Sequence, residues 1–323
     1  MTQQPIFLLS LPRAGSTLVQ RILAAHPEVS TAPEPWLLLP QAFALRERGV
    51  LAPYGQVPAA RAIREFAAGL PKGDEDYVQE LRRFVLALYR KASGGHGKYF
   101  LDKTPRYHLI ADELRRIFPE ARLLFLWRNP LAVVASAVAT WGKGKWQPDR
   151  WRIDLLEGPH NLVGAYERHG DDGFAVRFED LIEDPMATWP RLFGYLGLSF
   201  DPSLLDALPS VQLRARMGDR TGAARYERLS TEPLEKWKTV LSSPVRKRWC
   251  RAYLNRLGEA TLSAMGYDLP SLLKELDALP SDGRGIALDL ANGAYARALE
   301  GGRRATLRLF GPRRTLWSDR WPS

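Results

Sequence analysis

Short apolar runs that stop abruptly set the pattern of this chain: "IFLLS" (Ile6 to Ser10), "RLLFLW" (Arg122 to Trp127) and "FAVRF" (Phe174 to Phe178), with a weaker "KYFLD" (Lys98 to Asp102). Runs that are apolar throughout, rather than alternating, predict strands buried on both faces, as in a parallel sheet. Between them the apolar positions recur at helical spacing. Leu18, Val19, Ile22 and Leu23 form one stripe, which His26 and Pro27 end. "PRYHLIADELRRIFP" places Leu109, Leu114 and Ile117 on a helix that stops before Pro119. "NPLAVVASAVATW" carries the clearest start signal, with Asn129 as cap, Pro130 at the first helical position, and Val133, Val134, Ala137, Val138 and Trp141 in helical register. Strands alternating with helices predict an open, mostly parallel sheet covered on both faces, whose ligands bind at the carboxyl ends of the strands.

From Arg150 onward the pattern is mainly helical, with a cap expected at Ser230 in "STEPLEKWKTVL" and a long amphipathic run from Pro244 to Met265. Composition changes beyond Pro270. Residues 301–323 carry six Arg against one acid, Asp319, and include two Trp. The expected organisation is one domain over 1–270 and a helical, basic extension over 271–323. The length of 323 residues suffices for a full core. Cys250 is the only cysteine, which excludes an intrachain disulfide and argues against a structural zinc site. "MTQQPIFLLSLPR" lacks the basic start and long apolar run of a secretion signal, and no stretch reaches transmembrane length, so a cytoplasmic protein with no transmembrane segment is expected. The net charge of +10 favours an acidic partner: a nucleotide, a sulfated or phosphorylated molecule, nucleic acid or a membrane surface.

Two stretches carry candidate chemistry. In "LPRAGSTLV" a strand breaks and a helix begins, leaving backbone N–H groups without intrahelical partners. Gly15 permits close approach, Ser16 and Thr17 add hydroxyls, and Arg13 adds a cationic fork. The turn reads either as a phosphate or sulfate cradle or as an ordinary strand-to-helix turn with a solvated Arg. It is not a Walker A loop, which needs a second Gly followed by Lys. In "RLLFLWRNPLAVVASAVATW", Arg128 leaves a strand end beside a helix start, and Ser136 lies two turns into that helix. Taken alone, Ser136 reads as a helix serine bonding back to the preceding turn. Together, two anion sites at neighbouring strand ends suit a nucleotide with phosphates at both ends.

The pair "PRAGSTL" and "RNPLAVVAS", in this order and separated by a region containing "LDKTPRY", resembles the sulfotransferases that use 3′-phosphoadenosine 5′-phosphosulfate (PAPS). The likeness runs from about Pro5 to Leu269 and continues into "VRFEDLIEDPMATWPRLFGYLGL", while "GDRTGAARYERLSTEPLEKWKTVLSSPVRKRWC" resembles the C-terminal part of bacterial members, where a Gly-containing loop lies near the nucleotide. The resemblance implies a P-loop-NTPase-like three-layer α/β/α fold with extra helices, PAPS as sulfuryl donor and no metal requirement. Carried over by residue, it implies that Arg13, Ala14, Gly15, Ser16 and Thr17 cradle the 5′-phosphosulfate and that Arg128 and Ser136 hold the 3′-phosphate. Lys103 would neutralise charge on the sulfuryl group and leaving phosphate; otherwise it is an exposed loop lysine paired to Asp102.

The general base departs from the cytosolic small-molecule branch, in which a His follows the Lys-Thr pair; here Pro105 occupies that place. In the tyrosylprotein branch the base is a Glu following an Ala-His-Pro helix end, and this chain reads "AAHPEVSTAPEPW", with Glu34 lying 21 residues beyond Arg13. Glu34 is the expected base, although Pro33 and Pro35 equally suit a rigid surface loop. His108 is an outside candidate for proton transfer, and His26 is expected to pack at its helix end. The stretch 141–151, rich in Trp, Lys and Gly, reads as an acceptor lid or, more simply, as a surface loop with its Trp residues packed down. "EPWLLLPQAF" reads as an acceptor-pocket wall or a helix start. The expected acceptor is a hydroxyl on a carbohydrate, lipid or small metabolite, and nucleic acid is not expected as a partner. A nucleotide-dependent phosphotransferase and a basic, non-catalytic anion or nucleic-acid binder are the alternatives.

Overall fold

All four expected strands form, and a fifth that carries no apolar run joins them. In the computed structural model, which describes residues 3–207, 229–283 and 285–310, the strands are β1 (Gln4–Ser10), β2 (Val29–Pro33), β3 (Tyr99–Lys103), β4 (Arg122–Trp127) and β5 (Gly173–Arg177). They form one sheet in the order β2-β3-β1-β4-β5, and each neighbouring pair is parallel. All five carboxyl ends therefore share one edge. β1 lies at the centre, where the chain passes from building one side of the sheet to building the other, the usual place for a ligand crevice.

The alternation along each strand divides the core in two. Ile6 and Leu8 of β1 join Leu101, Leu124 and Leu126 on one face, under α1 (Ser16–Ala24). Phe7 and Leu9 join Phe100, Leu123 and Phe125 on the other, under α2 (Leu38–Ala44) and α4 (Asp74–Ala92), which follows α3 (Gln56–Ala68). That second face also receives α5 (Ala111–Ile117), α6 (Pro130–Thr140) and α7 (Gly158–His169). Beyond β5, α8 (Phe178–Glu183), α9 (Pro185–Leu196) and the single turn α10 (Ser203–Asp206) return to the first face.

The remaining described chain is helical: α11 (Glu232–Val240), α12 (Pro244–Ala264), α13 (Leu269–Ala278) and α14 (Ile286–Phe310). Leu272 and Leu276 of α13 pack into the same core as Cys250 and Leu254 of α12. α14 packs on the short turn Pro148–Trp151, and Arg246 of α12 forms a two-pronged bond with the buried Asp289.

Local expectations need three adjustments. The helix read from Pro105 to Pro119 is a 3₁₀ turn (Tyr107–Leu109) and then α5, because Ile110, at φ −137°, is not helical. The Pro244 run is broken at Gly258, whose φ of 80° no right-handed helix contains. Ser230 does accept the Glu232 N–H at 3.2 Å, but the residue preceding the helix is Thr231. Most of the Gly-containing segment from Gly218, and the tail beyond Phe310, lie outside the described residues. No helix among the described residues is long and apolar enough to cross a membrane.

Candidate active site

At the carboxyl edge of the sheet, a cavity of about 590 Å³ opens between the ends of β1, β2 and β4, with α11 forming a further wall. Arg13, Gly15, Ser16, Thr17, Glu34, Arg128 and Ser136 all line it. Residues 13, 15–17, 34, 128 and 136 are distant in sequence, and the sheet brings them to one opening.

The first wall is the turn from β1 into α1. Gly15 precedes the helix in a left-handed conformation, φ 91°, and no side chain caps the helix start. A Cβ at Gly15 would collide with the Phe178 ring, so only glycine permits this packing. The first N–H groups of α1 are left facing the cavity end of the helix, where the helix dipole also favours an anion. Arg13, also left-handed at φ 69°, turns its side chain along the opening, and its Nε donates to Ser136 Oγ at 3.1 Å. Ala14 points into the core and its N–H donates to the Leu11 carbonyl at 3.2 Å, so here it contributes shape rather than a donor.

The second wall is the start of α6. Asn129 caps it, its side chain accepting the Leu131 N–H at 2.9 Å, with Pro130 next. Arg128 is 7% exposed; its guanidinium lies 4.6 Å from the Phe178 ring centroid and donates to the carbonyls of Arg13 (2.8 Å) and Pro233 (2.9 Å). Glu179 accepts the Asn129 N–H at 2.9 Å and the Tyr267 hydroxyl at 2.7 Å, fixing the turn from behind. Phe178 and Glu179 are thus supports that the motif reading missed, although their segment, "VRFEDL", was part of it.

The third wall is the end of β2. The register of β2 against β3 pairs Pro33 with Lys103, which puts the next residue, Glu34, beside that lysine. Lys103 Nζ donates to Glu34 Oε1 at 2.6 Å, and Trp36 Nε1 donates to Oε2 at 3.4 Å. Lys103 is only 2% exposed, so it is not an exposed loop lysine, and its ion pair is with Glu34. Of the pair, Glu34 reaches the cavity wall and Lys103 stands behind it. Burial pushes the Asp102 carboxyl up, against the pull of the hydroxyls of Tyr89, Tyr107 and Thr104.

Other wall residues include Trp36, Arg106, Trp141, Lys236 and Trp237. Arg106 is held by a two-pronged bond to Asp154, at 3.0 and 2.9 Å, in the π-helical turn Ile153–Glu157. Of the loop tryptophans, Trp146 and Trp151 are packed down and Trp141 is 40% exposed at the cavity. His108 is 3% exposed, and burial first, then the nearby Arg106 charge, push it down to about 3. It is a neutral core histidine away from the cavity. His26 packs on Phe193 at its helix end, as expected.

Residues 5–202, which include all three of these walls but not α11, match the family described as the sulfotransferase family. The chain belongs to that family. Members of the family use PAPS as sulfuryl donor. Among its relatives, Nodulation protein NoeE of Sinorhizobium fredii is 38% identical over 265 residues, covering 73% of this chain and 60% of that protein. Protein-tyrosine sulfotransferase 2 of Gallus gallus is 28% identical over 62% of this chain and 53% of its own length, so the chain spans little more than half of either relative. The sulfotransferase domain of the Synechococcus PCC 7002 olefin synthase shares the fold, with a TM-score of 0.52 at 23% identity over 74% of this chain and 88% of that domain.

Proposed function

We propose that the protein transfers the sulfuryl group of PAPS to a hydroxyl of a carbohydrate, lipid or other small acceptor, with Glu34 as general base. The observation that carries this reading is that Glu34 opens onto the same cavity as two cationic, helix-start anion cradles. The fit of the donor rests on this chain's own groups: an uncapped helix start, close backbone approach at Gly15, and a cavity within the roughly 300–1,000 Å³ usual for small-molecule sites.

Bound PAPS supplies the sulfur–oxygen bond to its 5′-phosphate that breaks as the acceptor oxygen bonds to sulfur. The N–H groups and hydroxyls at Gly15, Ser16 and Thr17, with Arg13, hold the 5′-phosphosulfate and take up the charge that grows on the leaving phosphate. Arg128 and Ser136 hold the 3′-phosphate. Arg13 joins the two cradles through its bond to Ser136. Glu34 receives the acceptor's proton, and Lys103 keeps the carboxylate aimed. The exposed face of Trp141 and the half-buried ring of Trp36 offer flat apolar surface beside polar groups, which suits a sugar or aromatic acceptor.

The test is calorimetric titration with adenosine 3′,5′-bisphosphate, with 5′-AMP and ATP as controls and no magnesium. Tight binding that requires the 3′-phosphate is expected. Absence of binding, or a preference for ATP with magnesium, would sink the reading.

A further inference from the structure

Beneath the segment that carries Glu34 lies a buried carboxylate that the proposed transfer does not use. Asp102 is 0% exposed, next to last in β3. Its Oδ2 accepts from the hydroxyls of Tyr89 at 2.6 Å and Tyr107 at 2.8 Å, and its Oδ1 accepts from Thr104 Oγ at 2.9 Å. A buried carboxylate requires such donors. Their presence has a second effect, because a hydroxyl that spends its proton on Asp102 has only lone pairs to offer elsewhere. Thr104 Oγ accepts the Trp36 N–H at 3.3 Å, and the Tyr107 oxygen accepts the Leu38 N–H at 3.4 Å.

Those two N–H groups belong to the segment that turns Glu34 toward the cavity. Glu34 and Trp36 have φ of 28° and 55°, conformations that non-glycine residues keep only when their surroundings hold them. Lys103, the residue after Asp102, holds the Glu34 side chain. Thr104 and Tyr107 hold the backbone that follows. One stretch of chain, Asp102 to Tyr107, thus grips the base segment from both sides.

We infer that Asp102 is a positioning residue for Glu34: by directing the Thr104 and Tyr107 hydroxyls, it fixes the left-handed turn at 34–36 and so the place of the carboxylate. The inference rests on Glu34 being the base, but its test needs neither donor nor acceptor. Trp36 Nε1 bonds to Glu34 Oε2, so the Trp36 indole N–H resonance reports directly on that carboxylate.

In proton–nitrogen correlation spectra of the full chain, Trp36→Phe assigns the resonance and Glu34→Gln shows how far it moves when the carboxylate is lost. Asp102→Asn should displace or broaden the same resonance while the other indole signals stay in place, and binding of adenosine 3′,5′-bisphosphate should remain within about twofold of wild type. Thr104→Val and Tyr107→Phe each remove one hydroxyl and should displace it by less; they also carry the test if Asp102→Asn does not fold. A network that only stabilises the core would lower the melting temperature and leave the Trp36 resonance unmoved in all three folded variants, and that result overturns the inference. Failure of the wild type to bind the bisphosphate would instead count against the sulfotransferase reading, with the Trp36 signal still deciding the role of Asp102.

Discussion

The two halves of the sheet's carboxyl edge are built differently. On the β1/β4 half, each proposed anion cradle is a continuous stretch in which a strand ends and a helix begins; the uncapped start of α1 leaves backbone N–H groups there, whereas at α6, which Asn129 caps, the side chains of Arg128 and Ser136 line the cavity. On the β2/β3 half no helix start among the described residues faces the cavity in this way. Glu34 and Lys103, 69 positions apart, meet because two strands pair in register. On the proposed roles, the difference separates donor binding, built from local strand-to-helix stretches, from proton transfer, built from a long-range pair of side chains.

The most severe way to test that division is Glu34→Gln. Loss of a positioned base should slow transfer by about 10²–10⁴-fold, while bisphosphate affinity by calorimetry stays within about twofold. Near-normal turnover would move the base elsewhere; a large loss of affinity would mean that the two halves are not separable. The converse variants, Arg128→Ala and Arg13→Ala, should each weaken bisphosphate binding by about 10–100-fold, the range for losing a charged hydrogen bond. Unchanged affinity in the Arg128 variant would remove that residue from the 3′-phosphate site.

A smaller effect is expected from Gly15→Ala, which tests whether the cradle depends on backbone shape. The added methyl meets the Phe178 ring and must adopt a positive φ, so stability in urea should fall by about 1–3 kcal/mol, with bisphosphate affinity several-fold weaker. Gly144→Ala is the matched control: its φ is +83°, but nothing lies within 4 Å of the added methyl, so it carries the backbone strain without the collision. Equal losses in the two variants would show that the Phe178 floor is irrelevant.

The same contrast explains what could be read from the chain alone. β1, β4 and the start of α6 were legible because burial on both faces makes a strand continuously apolar and because Asn-Pro marks a helix start; the Asn129 cap forms as read. β2 was not legible. It lies at an edge of the sheet, and only Val29 of "VSTAP" is buried, so the segment lacks an apolar run. Its one signal was the β-branched pair Val29 and Thr31. Without β2, Glu34 could be placed only by resemblance to a family motif, and its contact with Lys103 was out of reach. The buried partners of Asp102 were equally hidden, since Tyr89 comes from α4 and Tyr107 from a 3₁₀ turn.

His108 gives the smallest expected effect on transfer and sharpens the contrast within the β2/β3 half itself. Like Lys103, which ends β3, it is buried, but its Nδ1 lies 3.2 Å from Asn161 Nδ2 rather than against Glu34, and it is pushed down to about 3 from an ordinary 6.5. Between those limits the unfolded chain binds the proton and the native chain does not, so stability is full above about 6.5 and falls as pH drops toward 3. The slope approaches about 1.4 kcal/mol per pH unit. His108→Asn removes this term: in urea unfolding its stability should decline less than that of wild type between pH 7 and pH 5, by about 2 kcal/mol. Its turnover at neutral pH should match wild type, because the histidine does not reach the cavity. Parallel stability profiles would show that the imidazole is not held neutral by burial, and a large loss of turnover in a well-folded variant would return His108 to the list of proton carriers that Glu34 displaces.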